Sequence, residues 1–113
     1  MSCLFCKIVR REVPASIVYE DDRVLAFNDI NPQAPTHVLV IPKRHIDTLN
    51  DLTPDDDQIV GELSRRAAAI AAERGIAAGG YRVVFNTNRY AGQTVSHIHL
   101  HLLGGRSMEW PPG

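Results

Sequence analysis

Short runs of aliphatic, β-branched and aromatic residues, separated by turn-forming residues, predict five strands in this chain. The first two runs flank the acidic tip Asp21-Asp22-Arg23, which predicts a hairpin. The third run, HVLVI, follows a connector with two prolines and stops at Pro42, because proline cannot donate to a strand ladder. The predicted strands cover Ile17–Glu20, Val24–Asn28, and residues 37–41, 81–86 and 96–103.

One long helix is predicted between the third and fourth strands. Thr53 can cap its N-terminus, Pro54 suits the first helical position, and the aspartates that follow favour the positive end of the helix dipole. Gly75 supplies the C-terminal stop. An apolar stripe along one face is formed by Ile59, Leu63, Ala67 and Ile70. Because the strands are grouped rather than alternating with helices, the pattern predicts an α+β domain with a five-stranded antiparallel sheet, one long helix and a short one.

Composition and charge place the chain among ordinary globular proteins. Its 113 residues are 44% hydrophobic and 22% charged, which indicates one domain over residues 1–113 and excludes wholesale disorder. The formal net charge of -1 gives no electrostatic reason for a nucleic-acid or membrane-surface partner. No apolar run is long enough for a membrane helix or a secretory signal. We therefore expect a cytoplasmic location, with no nucleic-acid or membrane partner.

Three histidines alternate with apolar residues in the last predicted strand. His97, His99 and His101 would share one face of the strand, because side chains at i, i+2 and i+4 point the same way. One histidine on a half-exposed strand would have no special meaning, but three of the five in the chain occupy successive positions on one face. Such a row suits a catalytic zinc or copper ion, and it equally suits phosphorus chemistry with a neutral imidazole as nucleophile.

The only cysteines, Cys3 and Cys6, form a C-x2-C pair in the N-terminal segment 1–12. A disulfide between them would close almost no loop, so the pair is interpreted as a metal knuckle or a redox pair. A redox pair usually begins a helix after a strand, and no strand precedes this one. His45 and His97 lie at the ends of two predicted strands and could face the same end of the sheet. With the cysteines they would complete the tetrahedral set that structural zinc prefers.

The histidine row lies in a sequence that resembles the histidine-triad superfamily, in particular the Hint branch of nucleoside phosphoramidases. The resemblance rests on HIHLHLL followed by GGR, and on the tail 104–113 with its terminal WPPG. It extends over FCKIVRREVPA, YEDDRVLAFNDINPQAPTHVLVIPKRHI, GYRVVFN and GQTVSHIHLHLLGGR. It implies a histidine-triad fold completed in a homodimer. It also implies hydrolysis of purine nucleoside 5′-phosphoramidates through a nucleotidyl-histidine intermediate, with no metal required for catalysis.

The resemblance further implies roles for individual residues. His99 would be the nucleophile, flanked by His37 and by His101, which would bond a phosphate oxygen. The backbone carbonyl of His97 would accept from Nδ1–H of His99, and Thr94 would contact the phosphate or the leaving group. The residues implied to bind the substrate are Phe5, Phe27, Asp29, Ile30, Leu39, Asn86, Gly92, Gln93 and Trp110. Some bacterial relatives, and the hexose-phosphate uridylyltransferases, resemble the proposed zinc arrangement, with the first histidine of the motif as a ligand.

Three other functions stay open at the level of sequence. They are a dinucleoside polyphosphate hydrolase, a nucleotide-binding interaction module with incidental hydrolysis, and a metalloenzyme using the three imidazoles. Single residues also have structural interpretations: Asp29 could be a turn former that bonds its own backbone, and Trp110 could be core packing. Two departures from the family pattern bear on the leaving group. Thr94 stands where serine is usual, and the loop 88–91 is bulkier and more basic than its glycine-rich counterpart.

Overall fold

A five-stranded antiparallel sheet organises the computed structural model, which describes residues 3–113. The strands are β1 (Ile17–Glu20), β2 (Val24–Asn28), β3 (Thr36–Pro42), β4 (Tyr81–Phe85) and β5 (Leu100–Gly104). Their order across the sheet is β1-β2-β3-β5-β4, and every neighbouring pair is antiparallel. The helices are α1 (Leu4–Val9), α2 (Asp57–Glu73) and α3 (Asn88–Ala91). The predicted fold class is confirmed.

The long helix α2 ends at the predicted stop but begins at Asp57, three residues after the predicted first position Pro54, because Thr53 precedes a separate 3-10 turn. A 3-10 turn over Pro54–Asp56 precedes it, and the Asp56 carboxylate accepts the Thr53 N–H at 2.9 Å. Gly75 follows the helix with φ of 73°, a left-handed conformation that favours glycine. The apolar stripe faces the sheet, where the fully buried Leu63 packs with its neighbours against strands β3 and β5. Among residues 3–113, no helix combines the length and apolarity needed to cross a bilayer.

The two faces of the sheet carry two separate apolar clusters, because side chains alternate along each strand. The larger cluster lies under α2 and includes Val38, Val40, Leu100 and Leu102. The smaller cluster lies under α1 and is formed by Phe5, Ile8, Leu25, Phe27, Leu39 and Ile41. His37 shares the α1 face with Leu39, and His101 pairs directly opposite Leu39 on β5. The short helix α1 and the histidines therefore lie on the same side of the sheet.

The last strand is shorter than predicted at its N-terminal end. It was expected over residues 96–103, but β5 begins only at Leu100. The His97 N–H donates to Val95 O at 2.9 Å and the Ile98 N–H donates to Ile46 O at 2.7 Å, so this segment leaves the strand ladder. The predicted alternation survives in its apolar half, since Ile98, like Leu100 and Leu102, is buried. The histidine half does not form one continuous row, because the backbone turns at 95–97.

Candidate active site and metal centre

His99 is a buried imidazole whose two nitrogens have different roles. Only 5% of the residue is exposed, and its Nδ1–H donates to the backbone carbonyl of His97 at 2.8 Å. A carbonyl only accepts, so this contact places the proton on Nδ1 and leaves the lone pair on Nε2. Burial lowers the pKa of His99. The ring is therefore neutral near pH 7 and can act as a nucleophile through Nε2.

His37 and His101 form a chain of hydrogen bonds beside His99. The Gln33 backbone N–H donates to Nδ1 of His37 at 3.0 Å, so the proton of His37 lies on Nε2. That nitrogen lies 2.9 Å from Nδ1 of His101 and donates to it. The proton of His101 is thereby placed on its Nε2. Each tautomer in the chain follows from the backbone donor at Gln33.

The Nε2 atom at the end of this chain is buried without a partner. Among residues 3–113 it is the one buried side-chain nitrogen or oxygen that lacks a hydrogen bond. A buried donor without a partner is costly, and it indicates a place for a ligand atom. The rings of His99 and His101 lie 4.9 Å apart between centroids. Burial, followed by the nearby imidazoles of His99 and His37, lowers the pKa of His101 to about 4, so this group is a neutral donor near pH 7.

Asp29 contacts both the connector and the histidine pair. One carboxylate oxygen accepts the Asn31 N–H at 2.8 Å, which is the turn-forming contact considered as its structural alternative. The other oxygen lies 3.4 Å from Nε2 of His37. Burial lowers the pKa of His37, while the nearby Asp29 carboxylate raises it, and the net direction is downward. Asp29 therefore both shapes the turn and faces the site.

The predicted apolar site residues divide into two groups. Phe5, Phe27 and Leu39 are buried beside the histidines, and the Phe5 ring meets the His99 ring edge-on at 5.0 Å between centroids. By contrast, Ile30 is 99% exposed and Trp110 is 82% exposed. These two side chains lie on the surface of a single copy of the chain.

The polar loop after β4 is held by the amide of Gln93. Its Nε2 donates to Asp47 O at 2.8 Å and to Val95 O at 3.0 Å, while its Oε1 accepts the Asn88 N–H at 2.9 Å. A phosphate contact by this side chain, as the resemblance implies, would replace one of these bonds. Gly92 ends α3 with φ of 81°, Asn86 is half-buried at the end of β4, and Thr94 is exposed.

Two thiols and two imidazoles converge at the N-terminus of α1. Cys3 caps this helix, its Sγ accepting the Cys6 N–H at 3.4 Å. Nδ1 of His97 lies 3.4 Å from Sγ of Cys3, and Nδ1 of His45 lies 3.3 Å from Sγ of Cys6. All four candidate ligand atoms lie within 4.8 Å of one another. These separations match the edges of a tetrahedron with zinc–sulfur bonds of about 2.3 Å and zinc–nitrogen bonds of about 2.0 Å.

Hydrogen bonds made by the outer nitrogens of the two imidazoles orient the Nδ1 lone pairs toward the thiols. Nε2 of His97 donates to the carbonyl of Pro42 at 2.8 Å, and Nε2 of His45 donates to the Asp47 carboxylate. In the neutral form of each ring, Nδ1 therefore carries the lone pair, and it faces the sulfur atoms, as in metal-bound histidines with a fixed outer nitrogen. Pro42 and Asp47 were not predicted from the sequence to orient these ligands. The spacing His45-x-Asp47 was the available signal for the second.

A second cluster, formed by Asp29, His37 and His101, also has three potential ligand atoms within 4.8 Å. Its hydrogen bonds oppose metal binding. Nδ1 of His37 accepts the Gln33 N–H, so the inward Nε2 carries a proton where a metal would need a lone pair. The three-imidazole metal site considered from the sequence does not form either among residues 3–113, because Nδ1 of His97 faces the thiols and groups with them. Of the two clusters, the cysteine-containing one fits a metal.

Comparison with known proteins identifies the family. The sequence model of the HIT domain matches residues 10–108. The purine nucleoside phosphoramidase of Escherichia coli K12 is 55% identical over 105 residues, covering 93% of this chain and 88% of that protein. An uncharacterised HIT-like protein of Synechococcus elongatus is 56% identical over 110 residues, covering 97% and 96%.

Solved structures agree with this assignment. A HIT family hydrolase from Legionella pneumophila Philadelphia 1 superposes with a TM-score of 0.98 at 56% identity, covering 99% of this chain and all of that one. A histidine triad protein from Clostridium difficile gives a TM-score of 0.93 at 47% identity, covering 96% and 95%. The chain belongs to the HIT family, which confirms the resemblance stated from its sequence.

Proposed function

We propose that this chain hydrolyses purine nucleoside 5′-phosphoramidates through a nucleotidyl-histidine intermediate. The observation that carries the proposal is the pairing of a nucleophile with a donor: Nε2 of His99 has its lone pair free, and the ring beside it carries the unpartnered Nε2–H of His101. The purine nucleoside phosphoramidase of E. coli, more than half identical to this chain, supports this substrate class.

The reaction would proceed in two displacements at phosphorus. Nε2 of His99 attacks the α-phosphorus, the P–N bond to the leaving amine breaks, and the leaving nitrogen takes up a proton from solvent, which the attacking water of the second step returns. His101 donates its Nε2–H to a phosphate oxygen as negative charge develops there. The hydroxyl of Thr94, which is exposed, would contact the phosphate or the leaving group. Water then attacks the phosphorus, the phosphorus–imidazole bond breaks, and the nucleoside monophosphate is released with His99 restored.

The remaining predicted residues would bind the nucleoside. Asp29 would accept hydrogen bonds from the ribose hydroxyls, and Asn86 would support the sugar and phosphate from the end of β4. Gly92 would let the backbone approach the phosphate closely, and Gln93 would exchange one loop contact for the ligand. Phe5, Phe27, Ile30 and Leu39 would line the base pocket.

A homodimer would complete this pocket. Strand β4 has a neighbour on one side only and exposes Tyr81 and Val83 by 38% and 44%. An edge with exposed apolar side chains is suited to pairing with a second copy. Trp110, exposed in one copy, would then contact the site of the other. A solution mass near twice 12.5 kDa at micromolar concentration supports the dimer, and a monomer mass contradicts it.

The decisive test of the activity is trapping the intermediate. Wild-type protein quenched during turnover of adenosine 5′-monophosphoramidate should carry one nucleotidyl group on His99, detected by peptide mass spectrometry. His99→Ala should lose turnover and the adduct while still binding AMP, because binding energy comes mainly from the base and ribose. Near wild-type kcat in His99→Ala would refute the mechanism. Faster hydrolysis of a dinucleoside polyphosphate than of the phosphoramidate would favour that alternative substrate class.

The thiol–imidazole cluster is proposed as a structural zinc site. Cys3, Cys6, His45 and His97 would hold the ion, which would tie α1 to the segment that precedes β5 and contribute no step to catalysis. Metal analysis should find roughly one zinc per chain. Cys3→Ser with Cys6→Ser should lose the metal and melt at lower temperature. Arg10→Met is the matched control, because Arg10 pairs with the exposed Glu12 and offers no metal ligand. Zinc-supplemented protein with no bound metal and two titratable thiols would contradict the proposal.

A further inference from the structure

The turn that follows β5 brings the C-terminal segment against the connector between β2 and β3. Gly105 makes this turn with φ of 90°, and a Cβ built there would lie 2.9 Å from Cβ of Pro35. The absence of a side chain at this position permits the close approach. Arg106 follows at once, and its Nε–H donates to the backbone carbonyl of Gln33 at 3.1 Å. An arginine from the end of the chain therefore fixes a residue 73 positions earlier.

Gln33 is held on both sides of its α-carbon. Its carbonyl accepts from Arg106, and its N–H donates to Nδ1 of His37. Its own side chain donates to Asn31 O at 2.9 Å and closes the turn. The N–H of Gln33 is the donor that determines the tautomer of His37, and through it the tautomer of His101. No other protein donor to Nδ1 of His37 is present among residues 3–113.

The direction of this hydrogen-bond chain decides what the site offers to phosphate. A neutral imidazole can carry its proton on either nitrogen. Without the Gln33 N–H, His37 can hold its proton on Nδ1 and accept through Nε2, although the Asp29 carboxylate, 3.4 Å from Nε2, opposes this tautomer without constraining Nδ1 directly. His101 would then donate through Nδ1, and its buried Nε2 would present a lone pair to the negatively charged phosphate. The donor that stabilises the transition state would become a repulsive acceptor.

We propose that Arg106 is a positioning residue for the hydrolysis: it holds Gln33 so that the Gln33–His37–His101 chain points its last N–H into the active site. This inference rests on the proposed function for its kinetic consequence only. The tautomers of His37 and His101 are properties of the protein alone. They can be measured without substrate.

Arg106→Met removes the donor and keeps much of the side-chain length. We expect kcat for adenosine 5′-monophosphoramidate to fall about tenfold, with KM changed less than about twofold. The fall is smaller than the roughly 100-fold or greater loss that follows complete removal of an aligned donor, because some molecules keep the donating tautomer. Nitrogen-15 NMR of the imidazoles should show Nδ1 of His37 and His101 unprotonated in wild-type protein and a mixture of tautomers in Arg106→Met. Arg106→Lys should recover part of the lost kcat and part of the wild-type tautomer population.

Arg23→Met is the matched control. Arg23 is also an exposed arginine with a long-range partner, but it pairs with Glu62 of α2, and α2 packs on the face of the sheet opposite the histidines. We expect its kcat and imidazole signals to equal those of wild type. Unchanged tautomers in Arg106→Met would overturn the inference, as would a loss of kcat that Arg23→Met shares. Inactivity of the wild-type protein would refute the proposed function, while the NMR comparison would still decide the role of Arg106.

Discussion

The buried histidine pair should make the stability of the protein fall in mildly acidic solution. His101 has its pKa lowered from 6.5 to about 4 in the folded protein, and His37 is shifted in the same direction. Between pH 4 and pH 6.5 the unfolded chain binds a proton at His101 that the folded chain does not bind, so the free energy of unfolding rises with pH. The stabilisation from the neutral rings is complete above about pH 7 and is lost as the pH falls through 6.5 toward 4.

The magnitude follows from the size of the shift. At about pH 5 an unfolded histidine is almost fully protonated while the folded His101 is mostly neutral, and this difference costs about 2 kcal/mol relative to about pH 8. Acidic residues with lowered pKa values, such as Asp56 and Glu20, lose their contribution at lower pH. The interval from about pH 8 to about pH 5 therefore lies above the titration of these carboxylates. Proton competition at the proposed zinc ligands acts in the same interval, so the comparison of His101→Gln with wild type isolates the share of His101.

Urea unfolding, followed by circular dichroism, measures this dependence. We expect His101→Gln to remove about 2 kcal/mol of the difference between the two pH values, because glutamine does not titrate. His37→Gln should change the dependence in the same direction. If His101→Gln shows the wild-type pH dependence to within about 0.5 kcal/mol, the burial argument for this ring is wrong.

Four other outcomes follow from the structure. Leu63→Ala removes a fully buried side chain of α2 and should lower the free energy of unfolding by about 2 to 5 kcal/mol, measured by urea denaturation. Gly105→Ala should destabilise by about 1 to 3 kcal/mol, because its φ and its contact with Pro35 exclude a Cβ; a melting temperature equal to wild type would contradict this. Deleting residues 110–113 should change selectivity among leaving amines in competition assays, and an unchanged profile would remove Trp110 from the site. His45→Gln should weaken zinc retention during dialysis against a chelator, whereas Arg10→Met should not.

The sheet was predictable because each strand has a clear apolar pattern and a clear stop. The hairpin strands Ile17–Glu20 and Val24–Asn28 have the predicted bounds, and β3 differs by one residue at each end. The short helices were not located. In α3, Asn88 starts the segment with φ of 64° and Gln93 closes it, which are tertiary and backbone effects too local to leave a periodic signal in four residues. The early part of the predicted last strand failed because Ile98 bonds to Ile46 instead of a strand neighbour.

The candidate site, like the fold, could be predicted from the sequence only in part. The residue types and their order in the sequence identified the histidines and the thiol pair as candidate site residues. The four predicted metal ligands converge in the structure. The groups that orient them are mostly backbone atoms: the Gln33 N–H, the Pro42 carbonyl and the His97 carbonyl. Nearly every residue carries the same backbone N–H and C=O groups, so the sequence does not show which of them contacts a site residue. These contacts could therefore be found only from the three-dimensional path of the chain.

His97 serves both centres through chemically independent atoms. Its imidazole faces the thiols, whereas its main-chain oxygen accepts Nδ1–H of His99, the proposed nucleophile. Any substitution at this position removes the first contribution, but the second is common to all amino acids and persists as long as the backbone keeps its course. During divergence or redesign, apolar packing can therefore replace the thiol–imidazole cluster of Cys3 and Cys6 while the backbone contact to His99 is kept. The two contributions can be lost separately, although one residue carries both.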